Sequence, residues 1–228
     1  MGKTDQVYVN LQKHLNSQAV GFPATKSGVE INLLKHIFTP TEAEIASFVN
    51  YKFEALHDIY SKVEHLVESI DALEEHLDRI QKKGGLEFRI KKGEKHYCTA
   101  PLVVGMYEFQ LERLTPEFIK DFKAYTSDRH FGIEFLSTEL PQMRTIPVAE
   151  SILPQHDVST FDEVTILLEQ AQGPFVIIEC ICRKKKRLEG GTCHVTERKE
   201  TCLAIHEMAE MLQASNVGRT ISREEALS

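Results

Sequence analysis

The sequence contains no long run of apolar residues and no export signal. No stretch approaches the roughly 18 apolar residues of a membrane-spanning helix, and the polar start MGKTDQ lacks the apolar core of a signal peptide. Gln6 stands where the N-myristoylation pattern requires Ser or Thr. We therefore expect a cytoplasmic protein with no membrane partner. In that compartment disulfides are disfavoured, and clustered thiols more often indicate metal or redox chemistry.

The sequence also lacks the motifs of the common enzyme classes. It has no His-Glu-x-x-His zinc motif, no Gly-x-Ser-x-Gly elbow, no phosphate-binding loop and no dinucleotide-binding fingerprint. Ten histidines and many carboxylates are present, but none has a recognisable catalytic spacing. A stripe such as His57, Glu64 and His65 is typical of a solvated helix face. We therefore assign no catalytic residue.

Acidic residues outnumber basic residues over the whole chain. The formal net charge of the 228 residues is −7 and the isoelectric point is about 5.8. A chain this acidic is not an obvious binder of polyanions, although a local basic patch is compatible with it. The length is sufficient for one large domain or two small ones with a buried core.

The first half of the chain has helical periodicity followed by a hairpin pattern. Thr41 and Glu44 have the spacing of a capping box, Ser69 precedes a strongly amphipathic segment, and Gly84-Gly85 end that segment. The predicted elements are helices over 6–18, 29–38, from Thr41, over 53–66 and over 70–83, and a hairpin over 86–99 with Gly93 in its turn. This order is the outline of a winged helix-turn-helix, and it predicts a winged-helix-like domain over residues 1–110.

The second half mixes both periods and predicts a small α+β domain over residues 111–228. Thr115 and Pro116 are a typical cap and first position of a helix. The predicted elements are a helix from 114 to 131, a strand over 142–152, a helix over 159–172 that Gly173-Pro174 ends, a buried strand over 174–182 and a last helix that begins at Cys202. The fold class that we predict for the whole chain is α+β.

Cysteine is scarce, but four of the five cysteines lie within 23 positions. In a strand, Cys180 and Cys182 would share one face, Cys193 follows the glycine pair 190–191, and Cys202 would lie in the first turn of a helix, where a thiolate is stabilised. Four thiolates that converge on one centre suit a tetrahedral zinc or an iron–sulfur cluster. The fifth, Cys98, is expected to be a buried apolar residue.

Spacing alone leaves the nature of this site open. The pattern Cys-x-Cys-x10-Cys-x8-Cys differs from the two-residue spacing of common zinc modules and bacterial ferredoxins. Three interpretations of the cysteines remain: an iron–sulfur cluster, a zinc site, or thiols with no shared role. A site with both cysteine and histidine ligands also remains, because His194 and His206 lie nearby in sequence. The basic run from Arg183 to Arg187 would tune an anionic cluster, first through Arg183 and Lys184. It equally fits a solvated loop or a nucleic-acid patch.

The segment "CICR…GGTCHVTERKETCLAI…GRTISREEAL" resembles a family of anaerobe iron–sulfur proteins of the 4Fe-4S ferredoxin type. The stretches "GFPATKSGVEINLLKHIFTPTEAEIA" and "APLVVGMYEFQ" are similar to the N-terminal winged-helix-like region of that family. The resemblance implies a [4Fe–4S] cluster and electron transfer with a redox protein partner, by a carrier or a redox-enzyme subunit. It implies that Cys180, Cys182, Cys193 and Cys202 are the ligands.

The longer members of that family continue into ferredoxin-type cysteine motifs, whereas this sequence stops at Ser228. We therefore expect either a short member or a piece of a longer chain, truncated inside the C-terminal domain. Ser222 and Glu225 have the spacing of a capping box and predict one more helix at this end.

Two other functions fit the same residues. One is a winged-helix regulator whose DNA binding responds to the metal or to redox state, and the other is a structural zinc protein. DNA binding is disfavoured, because the candidate recognition helix Ser69–Lys83 carries more acidic than basic side chains, which phosphates repel. The winged-helix domain would then dock a protein or form a homodimer.

Overall fold

The computed structural model describes residues 3–138, 164–192, 194 and 196–228, with side chains from residue 5 onward. Within these residues the chain forms two compact units. The first consists of the described part of Met1–Gln142 with Lys185–Gly191, and the second of the described part of Met143–Lys184 with Thr192–Ser228. Helices and small antiparallel sheets occur together, which confirms the predicted α+β class.

The first unit contains most of the helices. In chain order its elements are α1 (Lys3–Asn16), α2 (Val29–Ile37), α3 (Pro40–Ala46), β1 (Glu54–Ala55), α4 (Leu56–Val63), α5 (Ile70–Lys82), β2 (Leu86–Lys91), β3 (Glu94–Thr99), short helical turns at Leu102–Met106 and Glu108–Gln110, α6 (Pro116–Thr126) and α7 (Arg129–Leu136). Helix α1 packs on α2 and α3, and α2 packs on α6. A domain boundary at residue 110 is predicted from the sequence, whereas α6 belongs to the first unit.

The helix starts in this unit follow local side-chain chemistry. Helix α3 begins with a capping box in which the Glu42 N–H donates to Thr39 Oγ1 at 3.4 Å and the Thr39 N–H donates to the Glu42 carboxylate at 2.7 Å. The predicted box at Thr41 and Glu44 is therefore wrong, because Pro40 occupies the first helical position and needs no hydrogen-bond partner for its nitrogen there. The Ser69 cap of α5 is confirmed by the Ala72 N–H at 3.1 Å.

The predicted hairpin is confirmed, and a third strand joins it. Strands β2 and β3 meet at the turn formed by Lys92 and Gly93, whose φ angles are 54° and 83°. Two positive φ angles match the twist of paired strands. Strand β1 adds to β3, so the sheet order is β1-β3-β2. Residues 53–55 were predicted to be helical but include this strand. The strand–helix–helix–hairpin order is compatible with a winged-helix-like unit, which stays a prediction.

Polar contacts join α5 to the hairpin. The Tyr97 hydroxyl donates to Asp78 at 2.7 Å, and Lys95 lies 2.7 Å from Asp78 and 2.9 Å from Glu74. At the other end of α5, Lys83 pairs with the buried Glu42 of α3. Part of the acidic surface of α5 is thus neutralised by the unit itself.

The second unit is a small sheet with helices on both faces. Its described elements are α8 (Val164–Gln170), β4 (Phe175–Glu179), α9 (Ile181–Leu188), β5 (Glu200–Ile205), α10 (His206–Ala214), β6 (Arg219–Ile221) and α11 (Arg223–Ala226), with the antiparallel strand order β5-β4-β6. Helix α9 extends past the boundary between the two groups of residues. The strand predicted over 142–152 and the start of the helix predicted over 159–172 lie outside the described residues.

The central strand β4 is buried on both faces, as its apolar sequence predicted. Phe175 and Ile177 form a core with residues of α8, β6 and the loop after α8, namely Leu168, Ala171 and Ile221. Alternation along the strand directs Val176 and Ile178 to the opposite face, where both are buried. Helix α10 packs against β4 and β5. Residues of β5 and β6 lie on the same face of the sheet as their partners in β4, so this alternation also decides the face on which they lie. In the described part of the chain, no helix is both long and apolar enough to cross a lipid bilayer.

Candidate metal centre

Three of the four clustered cysteines lie in the described part of the second unit. Cys180 follows directly after β4, Cys182 lies in the first turn of α9, and Cys202 lies in β5 opposite Ile178. Cys193 lies outside the described residues. None of the described cysteines is in a disulfide. Cys98 lies in β3 of the first unit and is only 3% exposed, so its prediction as a buried residue is confirmed.

The predicted placement of Cys180 and Cys182 on one strand face is wrong. Strand β4 ends at Glu179, and α9 begins at Ile181. The physical reason is that ICRKKKRL is rich in Lys, Arg and Leu, which favour helix, and that an amphipathic helix buries Ile181 while its cations stay near water. Cys182 therefore lies in the first turn of a helix, and Cys180 lies between the strand and the helix.

The predicted placement of Cys202 at the start of a helix is also wrong. Residues Glu200–Ile205 form β5, and α10 begins only at His206. Pairing with β4 explains this, because the alternation in ETCLAI allows Cys202 and Ala204 to face the same side as Ile178 and Val176, their partners in register.

Cys180 is the residue that caps helix α9. Its carbonyl oxygen accepts the Lys184 N–H at 2.9 Å, and its own N–H donates to the Lys199 carbonyl at 3.0 Å. The Cys180 sulfur accepts hydrogen bonds from the backbone N–H groups of Arg183 and Cys182. These donors have no partner inside a helix. A sulfur therefore takes the place that a Ser or Asp oxygen occupies at most helix starts.

A β-bulge in β5 supplies two further donors. Ile178 pairs with Cys202, whereas Glu179 pairs with Glu200, so Thr201 is an extra residue with no partner in register. A bulge of this kind changes the direction of side chains. The side chains of Thr201 and Cys202 both form hydrogen bonds with the Cys180 sulfur. Two thiols that are 22 positions apart in sequence are thus close enough for one to affect the pKa of the other.

This environment favours the thiolate form of Cys180. Partial burial is the largest single effect and acts to raise the pKa of the Cys180 thiol. The hydrogen bonds from Arg183, Cys202, Cys182 and Thr201 act in the opposite direction and together hold that pKa below its ordinary value. A thiolate is the form of cysteine that binds metals and attacks electrophiles.

Arg183 and Lys184, the residues predicted to tune a cluster, make contacts that the sequence did not predict. Arg183 donates its backbone N–H to the Cys180 sulfur, while its guanidinium donates to the Arg198 carbonyl at 3.0 Å. The Lys184 ammonium lies 3.6 Å from the Glu179 carboxylate. The donor that Arg183 supplies to the Cys180 sulfur is therefore its peptide group and not its side chain.

The described residues include three of the four cysteines that are predicted to bind a metal. No group of three or more His, Cys, Asp or Glu side chains in the described ranges is close enough to hold a metal ion. The structure brings Cys180 and Cys202 together and places Cys182 at the surface of α9. The donor chemistry of the thiol pair suits a thiophilic metal, which prefers ionised sulfur.

Thr201 and the two peptide N–H groups are site components that were not predicted from the sequence. The N–H donors could have been predicted, because a cysteine stands immediately before a basic, helix-forming segment. The bulge could not, because the sequence of β5 alone does not show how it pairs with β4. Comparison of the chain with family models, with characterised proteins and with solved structures found no match.

Proposed function

We propose that the second unit binds an iron–sulfur cluster and that the protein transfers electrons to or from a redox protein partner. The observation that carries the proposal is the contact between the thiols of Cys180 and Cys202, of which Cys180 is stabilised as a thiolate. Cys182 and Cys193 complete the proposed set of four ligands, for which [4Fe–4S] is the corresponding cluster. When bound, the cluster would supply a one-electron redox centre.

The surroundings of the thiol pair are suited to that role. Hydrogen bonds to cluster sulfurs and nearby positive charge are two of the factors that set reduction potential. The N–H groups of Cys182 and Arg183 are held by the helix backbone, so they are in place before any metal arrives. The reduced state of a cluster is the more negative one, and these donors stabilise it.

Zinc is the alternative occupant of the same ligands, because four thiolates also form a tetrahedral zinc site. In that case the unit would be structural. A DNA-binding regulator is less well supported. The exposed positions Asp71, Glu75 and Arg79 repeat at four-residue spacing on α5, and two of the three are acidic, which disfavours contact with phosphates. A cytoplasmic location and a docking or homodimer role for the first unit accompany the proposal.

The first experiment is anaerobic purification followed by visible absorbance and analysis of iron, sulfide and zinc. We expect a brown protein with about four irons per chain. The variants Cys180→Ser, Cys182→Ser, Cys193→Ser and Cys202→Ser should each lose most of the iron. Serine retains the backbone N–H, so Cys182→Ser tests the thiol alone. The matched control is Cys98→Ser, in the first unit, which should retain full iron content.

A colourless protein with one zinc per chain would overturn the iron–sulfur proposal. Unchanged metal content in Cys202→Ser would show that the ligand set is wrong. Gel shifts with a salt titration test the regulator alternative, since binding through phosphates weakens steeply with salt. We expect no salt-dependent shift.

A second experiment separates the two contributions of Arg183. Arg183→Ala removes the guanidinium and keeps the N–H, whereas Arg183→Pro also removes the N–H donor, at the third position of α9, where the N–H has no partner within the helix. We expect the reduction potential to fall further in Arg183→Pro than in Arg183→Ala. Equal potentials in the two variants would mean that the peptide donor has no influence on the centre.

A further inference from the structure

A cavity of about 270 Å³ lies in the first unit, between the segment that follows α1 and the hairpin β2–β3. For comparison, a dry cavity of about 150 Å³ is sufficient to bind benzene. Its walls are mainly apolar. The apolar residues come from the end of α1 and the segment after it, and from the segment that follows β3: Leu15, Val20, Phe22, Ala100, Leu102 and Met106. The space is therefore large enough for a small molecule with an aromatic or branched apolar body.

One carboxyl group lines this apolar space. Glu87 lies in β2 directly opposite Cys98 of β3, and both residues line the cavity. Within the described part of the chain, no hydrogen-bond donor or cation contacts the Glu87 carboxyl, and burial alone raises its pKa to about 7. A partly buried carboxylate without a partner is costly, and a ligand that supplies a positive charge would remove that cost.

The groups that face Glu87 do not supply the positive charge that its carboxylate lacks. Burial is the main reason that the pKa of the Cys98 thiol is raised to about 12, so this neighbour is neutral. Arg89 shares a strand face with Glu87, but its guanidinium lies over the Phe53 ring, 4.3 Å from the centroid. Its Nε atom is buried without a hydrogen-bond partner. The Phe53 ring also lines the cavity.

We propose that this cavity binds a small organic cation, a primary amine on an apolar body of about the size of an aryl-ethylamine. The ammonium group donates to the Glu87 carboxylate, and the body packs against Leu102 and Met106. A charge-assisted hydrogen bond in a desolvated site is about twice as strong as a neutral one. The net charge of −7 also favours approach of a cation.

The test compares 2-phenylethylamine with its neutral isostere 2-phenylethanol on the full chain. Binding is followed by NMR of the methyl groups of Leu15, Leu102 and Met106 at about pH 8, where Glu87 is ionised. We expect the amine to bind about ten-fold more tightly than the alcohol. At about pH 5.5 the amine is still protonated while Glu87 is largely neutral, so amine affinity should fall about ten-fold.

Three variants make the result specific. Glu87→Gln should abolish the preference for the amine while it retains alcohol binding, which shows that the cavity is intact. The exposed Glu44→Gln control should retain the preference. Val20→Trp should fill the cavity and weaken both ligands. Equal affinity for the two ligands, an unchanged preference in Glu87→Gln, unchanged amine binding in Val20→Trp, or no methyl shift at millimolar amine would each overturn the proposal.

Discussion

Glu87 makes the stability of the first unit depend on pH. Its pKa is raised by burial from 4.5 to about 7 in the folded protein, whereas in the unfolded chain the carboxyl titrates near its ordinary value. Between these two values the folded state binds more protons than the unfolded state, so stability falls as pH rises. The contribution is most favourable below the unfolded pKa and is lost as pH rises through about 7.

The size of the effect follows from the difference between the two pKa values. Each unit of difference corresponds to about 1.4 kcal/mol. Between about pH 5.5 and about pH 8, the folded chain should therefore lose about 2 kcal/mol through this one residue. Glutamine has a similar shape and does not titrate, so Glu87→Gln should lack that loss and should stabilise the protein at the higher pH.

Urea unfolding followed by far-ultraviolet circular dichroism measures this difference. The free energy of unfolding is determined at both pH values for the native chain, for Glu87→Gln and for Glu44→Gln, whose carboxyl is exposed on α3. Other titrating groups contribute equally to all three, so the comparison isolates position 87. A pH dependence that is the same in Glu87→Gln and the native chain would refute the reasoning. The control should behave like the native chain.

Three further changes test packing and capping. Ser69→Ala removes the acceptor of the Ala72 N–H, 3.1 Å away, and should cost about 1 kcal/mol in urea unfolding; Ser69→Asp should restore it. Tyr97→Phe deletes the hydroxyl that donates to Asp78 at 2.7 Å and should cost about 1.5 kcal/mol, with faster amide exchange in the hairpin; unchanged exchange would contradict it. Gly218→Ala adds a methyl group 2.5 Å from a carbonyl oxygen of β4 at a φ of 80°, and should destabilise the second unit by about 2 kcal/mol or more and reduce its iron content. A stable, iron-loaded Gly218→Ala would mean that the β4–β6 connection is less tightly packed than the structure indicates.

Elements with strong local signals could be predicted from the sequence. Ser69 caps α5, and Thr115 with Pro116 begins α6, because a capping side chain acts within three residues of itself. The hairpin turn at Gly93 is local for the same reason. The capping box of α3 was displaced by two residues because two Thr-x-x-Glu spacings overlap there, and only Pro40 distinguishes them.

The candidate site depends on contacts between distant segments, and the prediction was weaker there. That Cys180 and Cys202 meet was expected, but on the wrong elements, because a short apolar run does not reveal where a strand ends and a helix begins. The strand identity of Cys202 is decided by β4, which supplies the pairing partner. The Thr201 bulge is a property of two strands together, so neither sequence segment contains it.

The proximity of the two thiols depends on the register in which β4 and β5 pair. Side chains alternate between the two faces of a sheet, so a slip of one residue between β4 and β5 would turn Cys202 to the face opposite Val176 and Ile178. Cys202 would then face away from Cys180, and the thiolate at Cys180 would lose the Cys202 donor. If the pair binds a metal ion as proposed, that ion would favour the one register in which both thiols meet. Metal loading would then depend on correct pairing of β4 with β5.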